Sequence, residues 1–283
     1  MEFHIPGKNI FFLILTSFLI LIIFILLILL AKKRLTNLNN ISLLLGCLVW
    51  FIAVYVESIF HRFLLGYFKS NIFSFALYGG FMAGLFEETG RLICFLYKLK
   101  PSKYHKNNSL FYGIGHGGFE AVYLLVINYW VMLIFCILIN RGLLDEYDEK
   151  KDSLTDFEKQ IYDTMMKIYD SLKNNLSFFN FCFCVVWERI SAITYHISAS
   201  VLVWYASSDF KKYYKLYLLA ILLHFSFDCF AVIFAHYISI IFIVELFICG
   251  MSIGCAYIAY KCWKYFEVNI EVKNNLINYE EIV

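Results

Sequence analysis

The stretch IFFLILTSFLILIIFILLILLA, from Ile10 to Ala31, contains no charged residue and consists mainly of Ile, Leu and Phe. At a helical rise of about 1.5 Å per residue, it is long enough to cross a hydrocarbon core of about 30 Å. A signal peptide is not indicated, because little positive charge precedes the stretch, its apolar run is too long and no small-residue cleavage site follows. We therefore predict a transmembrane helix here.

The rest of the chain also has the composition of a membrane protein. Its 283 residues are 61% apolar and 16% charged, whereas soluble domains are about half apolar and about a quarter charged. The net charge of +2 is too small to indicate a nucleic-acid partner, so the lipid bilayer is the partner that we expect. We predict an all-α, polytopic transmembrane helix bundle of about seven spans, at residues 10–31, 41–64, 73–97, 109–139, 176–206, 214–236 and 238–262.

Basic residues mark one side of the predicted bundle. They follow the first, third and fifth spans, as Lys32, Lys33 and Arg34, as Lys98, Lys100, Lys103 and Lys106, and as Lys211, Lys212 and Lys215. Short cytoplasmic loops of membrane proteins are enriched in Lys and Arg, so we expect the amino terminus outside and a cytoplasmic tail at residues 263–283. Residues 1–283 then form a single membrane domain.

One long loop, residues 141–174, is expected on the extracytoplasmic side. After Ser153 it carries apolar residues at helical spacing, namely Leu154, Phe157, Ile161, Met165, Ile168 and Leu172. This pattern predicts an outer amphipathic helix that rests on the bundle or on the lipid headgroups. A solvated loop without an active part is the alternative.

Charged and polar side chains inside the spans are the most informative feature. Ionisable residues in a bilayer core are energetically costly and usually mark a function or a pairing. They lie in FEETGR of the third span, YGIGHGGFE of the fourth, WERISAITYHISAS of the fifth and HFSFD of the sixth: Glu87, Glu88, Arg91, Tyr112, His116, Glu120, Glu188, Arg189, His196, Ser200, His224 and Asp228.

The two basic loops between these spans predict that the residues lie at one depth. Ser102 in the first loop is about fourteen or fifteen residues from both Glu87 and His116. Phe210 in the second loop is about fourteen residues from both His196 and His224. Two helices that leave one tight turn keep equally distant residues level, roughly 15 Å or more from the cytoplasmic surface.

Spacing within each helix predicts further contacts. Residues four apart share a helix face, so we expect Glu87 to face Arg91, His116 to face Glu120, His196 to face Ser200 and His224 to face Asp228. Glycines at positions 113, 115, 117 and 118 surround His116 and would let another backbone or a substrate come close.

Four kinds of chemistry fit such a layer. A carboxylate and a histidine beside a buried water can hydrolyse a bond, with Glu87 or Glu88 taking the proton and His196 or His224 donating to the oxyanion. His116, His196 and His224 could instead bind zinc. A chain of ionisable groups can also relay protons in a transport protein, and a polar network can simply hold helices together.

The ordered motifs carry a resemblance. EExxR at Glu87, an aromatic residue four positions before His116 within GIGHGGFEA, ER followed by HxxxS, and finally HxxxD together resemble the YhfC family of intramembrane proteases. The set is similar, more distantly, to the CAAX prenyl protease and bacteriocin-processing (ABI, or CPBP) group and to PrsW. The resemblance covers about residues 40–262. In that superfamily the first motif usually reads EExxxR and the last HxxxN, so Arg91 comes one residue early and Asp228 replaces Asn.

The resemblance implies a glutamic-type intramembrane endopeptidase of the bacterial cell membrane that cleaves a membrane-associated peptide or protein. Glu87 would be the base, His116 would orient the water, and His224 with Asp228 would form the oxyanion side. The early arginine keeps Glu88 a second candidate for the base. The glutamic mechanism requires no cofactor, and a zinc-dependent protease remains the alternative. We count His196 among the catalytic candidates and Arg91, Tyr112, Glu120, Glu188, Arg189 and Ser200 as supporting residues.

Overall fold

The computed structural model describes residues 3–174 and 176–280, with side chains up to residue 267. Within this part of the chain the secondary structure is helical, with no β-strand. The α-helices are α1 (Gly7–Arg34), α2 (Asn40–Phe68), α3 (Ile72–Tyr97), α4 (Asn107–Ala121), α5 (Asn128–Asn140), α6 (Leu143–Glu149), α7 (Asp156–Leu172), α8 (Val185–Ser208), α9 (Phe210–Tyr237) and α10 (Ile241–Glu280). Two π-helical turns, Val122–Ile127 and Phe179–Cys184, lead into α5 and α8.

Five helical segments in the described residues are long and apolar enough to cross a membrane. They are Gly7–Arg34, Asn40–Phe68, Asn107–Asn140, Phe210–Tyr237 and Ile241–Glu267. The chain is therefore an all-α integral membrane protein with several transmembrane helices. Helices α3 and α8, with 26 and 24 residues, have sufficient length for a span, but they carry most of the charged residues discussed above. Their crossing of the membrane, the total of seven spans and the orientation stay predictions.

Asparagine and aspartate side chains fix where three of these helices begin. Asn39 accepts a hydrogen bond from the backbone N–H of Ile41 at 2.9 Å, and Asn71 accepts one from Phe73 at 2.8 Å. Asp209 caps α9 directly after α8 ends. Because such caps satisfy backbone donors that have no partner within the helix, they keep the connections between α2 and α3 and between α8 and α9 short.

Residues 3–23 and 121–187 form one compact unit. In it, buried Leu13, Cys136 and Met165 belong to one apolar core to which α1, α5 and α7 contribute. Helix α7 is the amphipathic helix expected after Ser153, and a capping box at Thr155 and Glu158 starts it. Its apolar positions enter this core with one exception, Phe157, which is 71% exposed.

Residues 24–120 and 188–280 form the second compact unit, which contains every candidate site residue. Within it, α3 and α9 approach closely at Gly80 and Gly84. A Cβ atom on Gly84 would lie 2.9 Å from the carbonyl oxygen of Ile221, and one on Gly80 would lie 2.7 Å from that of Phe225. This small-xxx-small spacing lets the two backbones touch, as in other membrane helix pairs.

The glycines around His116 have a similar effect on α4. A Cβ atom on Gly113 would lie 2.6 Å from the Cα atom of Ile197, and one on Gly117 would lie 3.0 Å from that of Ile193. Helix α4 therefore lies directly against α8, as the sequence predicted for this glycine-rich segment. The close approach brings His116 to the side of α8 that carries His196.

Candidate active site

The ionisable residues of α3, α4, α8 and α9 meet inside the second unit. The ring centroids of His116 and His196 are 4.7 Å apart, and those of His196 and His224 are 5.4 Å apart. At most 6% of each of these residues is exposed: Glu87, Glu88, Arg91, His116, His196 and His224. Residues that are equally distant in sequence from the two tight turns thus have side chains that are neighbours in space.

Glu87 lies between two imidazole rings. Its Oε2 atom is 2.9 Å from Nε2 of His116 and 3.8 Å from Nε2 of His224. No arginine contacts this carboxylate in the described residues. Glu87 also lines a cavity.

Glu88, the neighbour of Glu87 in sequence, is used differently. One carboxylate oxygen is paired with Arg91 and the other accepts a hydrogen bond from Nδ1 of His224 at 2.9 Å. Both Glu88 and Arg91 are fully buried and neither lines the cavity. The two glutamates, of which the resemblance favoured Glu87 as the base and kept Glu88 as a second candidate, thus have different surroundings.

A second cluster joins α4 to α8. Nε2 of His196 is 2.6 Å from Oε2 of Glu120, and Nη1 of Arg189 is 3.3 Å from Oε1 of the same carboxylate. Arg189 also pairs with its neighbour Glu188. A single guanidinium group thus lies against two carboxylates.

Three of the four pairs expected one turn apart on a single helix are replaced by other contacts. Arg91 binds Glu88 rather than Glu87, and Glu120 faces His196 rather than His116. The hydroxyl of Ser200 donates to the carbonyl oxygen of His196 at 2.7 Å and so satisfies its own helix. A contact between helices replaces the expected pair only at Glu120, where α4 and α8 are close enough for it, whereas Arg91 and Ser200 bond within their own helices.

The fourth pair is present, since Nε2 of His224 is 3.5 Å from Oδ2 of Asp228. Tyr112 is fully buried; its ring contacts Phe95 and lies 6.0 Å from the guanidinium carbon of Arg91. Tyr112 supports Arg91 and does not line the cavity.

A cavity of about 310 Å³ begins at these residues. Ionisable side chains from four helices line it together with apolar ones; the ionisable ones are Glu87, Glu120, Glu188, Arg189, His196, His224 and Asp228. Its volume lies at the lower end of the range of small-ligand sites, roughly 300–1,000 Å³. The cavity is large enough for several water molecules, each of which takes about 30 Å³ in the liquid.

Tyr195 is a cavity residue that the motif analysis did not single out. Its ring centroid is 5.0 Å from that of His224 and 5.2 Å from that of His196, and its hydroxyl donates to the carbonyl oxygen of Ala220 at 3.2 Å. The ring thereby spaces the two histidines. An aromatic residue in an apolar span gives no sequence signal for this role.

Comparison with known proteins identifies the family. A family model described as "YhfC intramembrane metalloprotease" matches residues 18–248, a range that includes the entire cluster. The chain belongs to the YhfC family. It is also 30% identical to a Bacillus subtilis protein named "Uncharacterized membrane protein YhfC" over 164 residues, which is 56% of this chain and 57% of that protein. No solved structure matches the chain.

Membership confirms the resemblance that the motifs carried, and the description of YhfC proteins supports intramembrane proteolysis in general. It does not support the expectation that no cofactor is needed, because the family is described as metalloproteases. The wider similarity to the CPBP group and PrsW stays a prediction.

Four of the clustered ionisable residues form a group that fits a metal ion. Ligand atoms of Glu87, His116, Glu120 and His196 all lie within 4.8 Å of one another. Imidazole nitrogen and carboxylate oxygen are ligands that zinc takes in proteins. This group differs from the three histidines named from the sequence, because it contains Glu120 and not His224, whose Nδ1 atom is turned towards Glu88.

Charge in the cluster also suits a cation. Arg91 balances Glu88, and Arg189 can balance only one of the two carboxylates that it touches. Glu87, Asp228 and one of the two carboxylates beside Arg189 therefore have no arginine to compensate them in the described residues. A divalent cation would supply two positive charges in a buried place where uncompensated charge is costly.

Proposed function

We propose that this YhfC protein is an intramembrane endopeptidase that hydrolyses a peptide bond of a membrane-associated substrate, with Glu87 as the group that takes the proton from the attacking water. One observation carries the proposal. The Glu87 carboxylate lies at the wall of a cavity between Nε2 of His116 at 2.9 Å and Nε2 of His224 at 3.8 Å.

Glu87 suits the role of general base better than Glu88. A base must lie within hydrogen-bond reach of the water that it deprotonates. Glu87 lines the cavity, and its single close partner in the described residues is a histidine. Both oxygens of Glu88 are already engaged by Arg91 and His224, and Glu88 does not line the cavity.

The two flanking histidines divide the remaining tasks. His116 contacts the oxygen of Glu87 that would hold the water, so it orients the nucleophile. The Nδ1 atom of His224 faces Glu88, and its Nε2 atom faces the cavity beside Asp228. When both nitrogens carry protons, Nε2 can donate to the oxygen of the peptide carbonyl as negative charge develops there.

A zinc-dependent form of the same reaction is the second candidate, and the compact group Glu87, His116, Glu120 and His196 favours it. Three of these four would hold the ion, because catalytic zinc sites keep one position open, and the remaining carboxylate would take the proton. When bound, zinc would polarise the peptide carbonyl and lower the pKa of the attacking water.

The proposal can be tested with purified protein in liposomes. The protein is incubated with a library of membrane-inserting peptides, and the products are identified by mass spectrometry. We expect new peptide termini with wild-type protein and none with Glu87→Gln. Chelation followed by zinc addition then separates the two forms. Activity that chelation leaves intact supports the metal-free form, whereas activity lost on chelation and restored by zinc supports the second. If the wild-type protein produces no more cleavage than the Glu87→Gln variant, the proposed function is contradicted.

A further inference from the structure

The cavity extends from the histidine layer in one direction only. Its lining includes Phe75 and Gly79 of α3, Glu188 of α8 and Val232 of α9. In chain order, Phe75 and Gly79 precede Glu87 on α3, and Glu188 precedes His196 on α8. On α9, which runs the opposite way, Val232 follows His224. All three helices therefore place the rest of the cavity on the same side of the layer.

This side is the one away from the basic loops. Residues 98–106 follow α3, and the basic residues 211, 212 and 215 lie at the start of α9, one residue after α8 ends, so both basic stretches lie at the opposite end of these helices. From Glu87 back to Phe75, α3 rises about 18 Å, and from His224 to Val232, α9 rises about 12 Å. Phe75 is close to the first residue of α3, Ile72, so the cavity nearly reaches that end of the bundle.

The other side of the layer is closed by packed side chains. Phe95 and Tyr112 are fully buried, as is Leu202, and Trp204 is 2% exposed. These residues belong to a single apolar core between the histidine layer and the basic loops. A polypeptide could not pass through this core without displacing several of its members.

Two carboxylates on this side of the histidine layer are more exposed than Glu87. The side chain of Glu87 is 7% exposed, that of Glu188 is 27% exposed and that of Asp228 is 37% exposed. Exposed carboxylates are stable only beside water, because burying an uncompensated charge is costly. The outer part of the cavity is therefore a place where water can enter.

We propose that the catalytic layer is reached from the end of the bundle opposite the basic loops, so that its substrate is a peptide segment on the extracytoplasmic side of the membrane. The nature of what enters rests on the proposed function, the end of the bundle at which it enters rests on the cavity, and the assignment of that end to the extracytoplasmic side rests on the predicted orientation. With the basic loops in the cytoplasm, the substrates are exported or membrane-inserted chains.

Cysteine accessibility tests the side of entry without requiring cleavage. Gly79→Cys is the first probe, because a Cβ atom there meets no atom within 4 Å, and Val232→Cys is the second. Both are made in full-length protein whose nine cysteines are replaced, and again in the wild-type background in case that replacement disturbs folding. Gly254→Cys is the matched control, since it is also free of clashes but lies on an exposed face of α10.

A charged, membrane-impermeant thiol reagent is applied to intact cells and to inverted vesicles. We expect Gly79→Cys and Val232→Cys to react at least about tenfold faster than Gly254→Cys, because a thiol in lipid does not form the reactive thiolate. They should react from the side opposite to that of Ser102→Cys in the basic loop. Reaction from the same side as Ser102→Cys, or at the rate of Gly254→Cys, would overturn the proposal. If the proposed function is wrong but the side of entry is right, the cysteines will be labelled as expected and the protein will not cleave peptides.

Discussion

Glu87 and Glu88 differ because successive residues of a helix point about 100° apart. That rotation directs Glu87 to the cavity and Glu88 to Arg91 and His224. One glutamate thus keeps a carboxylate available for chemistry, and the other holds Arg91 and fixes the ring of His224. A sequence that reads EE gives no indication of which is which.

The structural role of Glu88 leads to a stability prediction. Glu88→Gln leaves the buried guanidinium of Arg91 without its counter-charge, and removal of one partner of a buried ion pair costs about 3–5 kcal/mol. Glu87→Gln should cost far less, since no arginine depends on Glu87. Thermal unfolding of both variants in detergent measures the difference. Equal melting temperatures for the two variants would contradict these roles.

His224 leads to a prediction about rate. If its Nε2 atom donates to the developing oxyanion, His224→Ala should lower kcat by about 100 to 1000-fold. Ser200→Ala is the control, because that hydroxyl bonds only to the carbonyl oxygen of His196 in the described contacts, and it should keep most of the activity. Cleavage rates with one reporter peptide provide the comparison. A His224→Ala enzyme as fast as Ser200→Ala would exclude His224 from the reaction.

At the scale of the helices, α3 and α9 are held together by Gly80 and Gly84. The contact matters for the site because it brings Glu88 within 2.9 Å of His224. Larger residues would separate the two backbones, and the hydrogen bond would then lengthen.

This packing predicts that Gly84→Ala is destabilising. A Cβ atom would lie 2.9 Å from the backbone oxygen of Ile221, and overpacking of this kind costs about 1–3 kcal/mol. Gly79→Ala on the same helix meets open space and should be neutral or slightly stabilising, since Ala favours helix by about 1 kcal/mol over Gly. Unfolding midpoints of the two variants test this. A Gly84→Ala protein as stable as Gly79→Ala would show that the close approach is unimportant.

Helix boundaries and common depth could be predicted from the sequence, because apolar runs and short loops constrain both directly. The second span, predicted at 41–64, is α2 at Asn40–Phe68, and the third, predicted at 73–97, is α3 at Ile72–Tyr97. Partners could not be predicted in the same way. Spacing of four residues predicts pairs within one helix, whereas Glu120 of α4 binds His196 of α8. That contact depends on the short distance between α4 and α8 that the glycines permit.

At the scale of the whole molecule, the sequence pattern did not predict the π-helical turns or the full length of α10. Each π-helical turn inserts a wider turn into a continuous apolar run, where composition does not change. The last helix continues to Glu280, beyond the predicted end of the span at 262. The predicted cytoplasmic tail is therefore helical through Glu280, and residues 281–283 lie outside the described part.

Orientation is a further prediction for the whole molecule. If the basic loops are cytoplasmic, single cysteines at Lys33, Ser102 and Phe210 should react with impermeant reagent in inverted vesicles and not in intact cells. Labelling in the two preparations, compared with labelling after permeabilisation, measures this. Reaction of Ser102→Cys in intact cells would reverse the orientation and place the substrate in the cytoplasm.

Glu87 as the proton acceptor is the central claim, and the cleavage rate of Glu87→Gln tests it most directly. Gln keeps the shape and the hydrogen bonding of Glu but cannot take a proton. We expect Glu87→Gln to retain the wild-type melting temperature and to lose cleavage by at least about 100-fold, the lower end of general-base contributions. A folded Glu87→Gln protein that cleaves the reporter peptide at the wild-type rate would contradict the account.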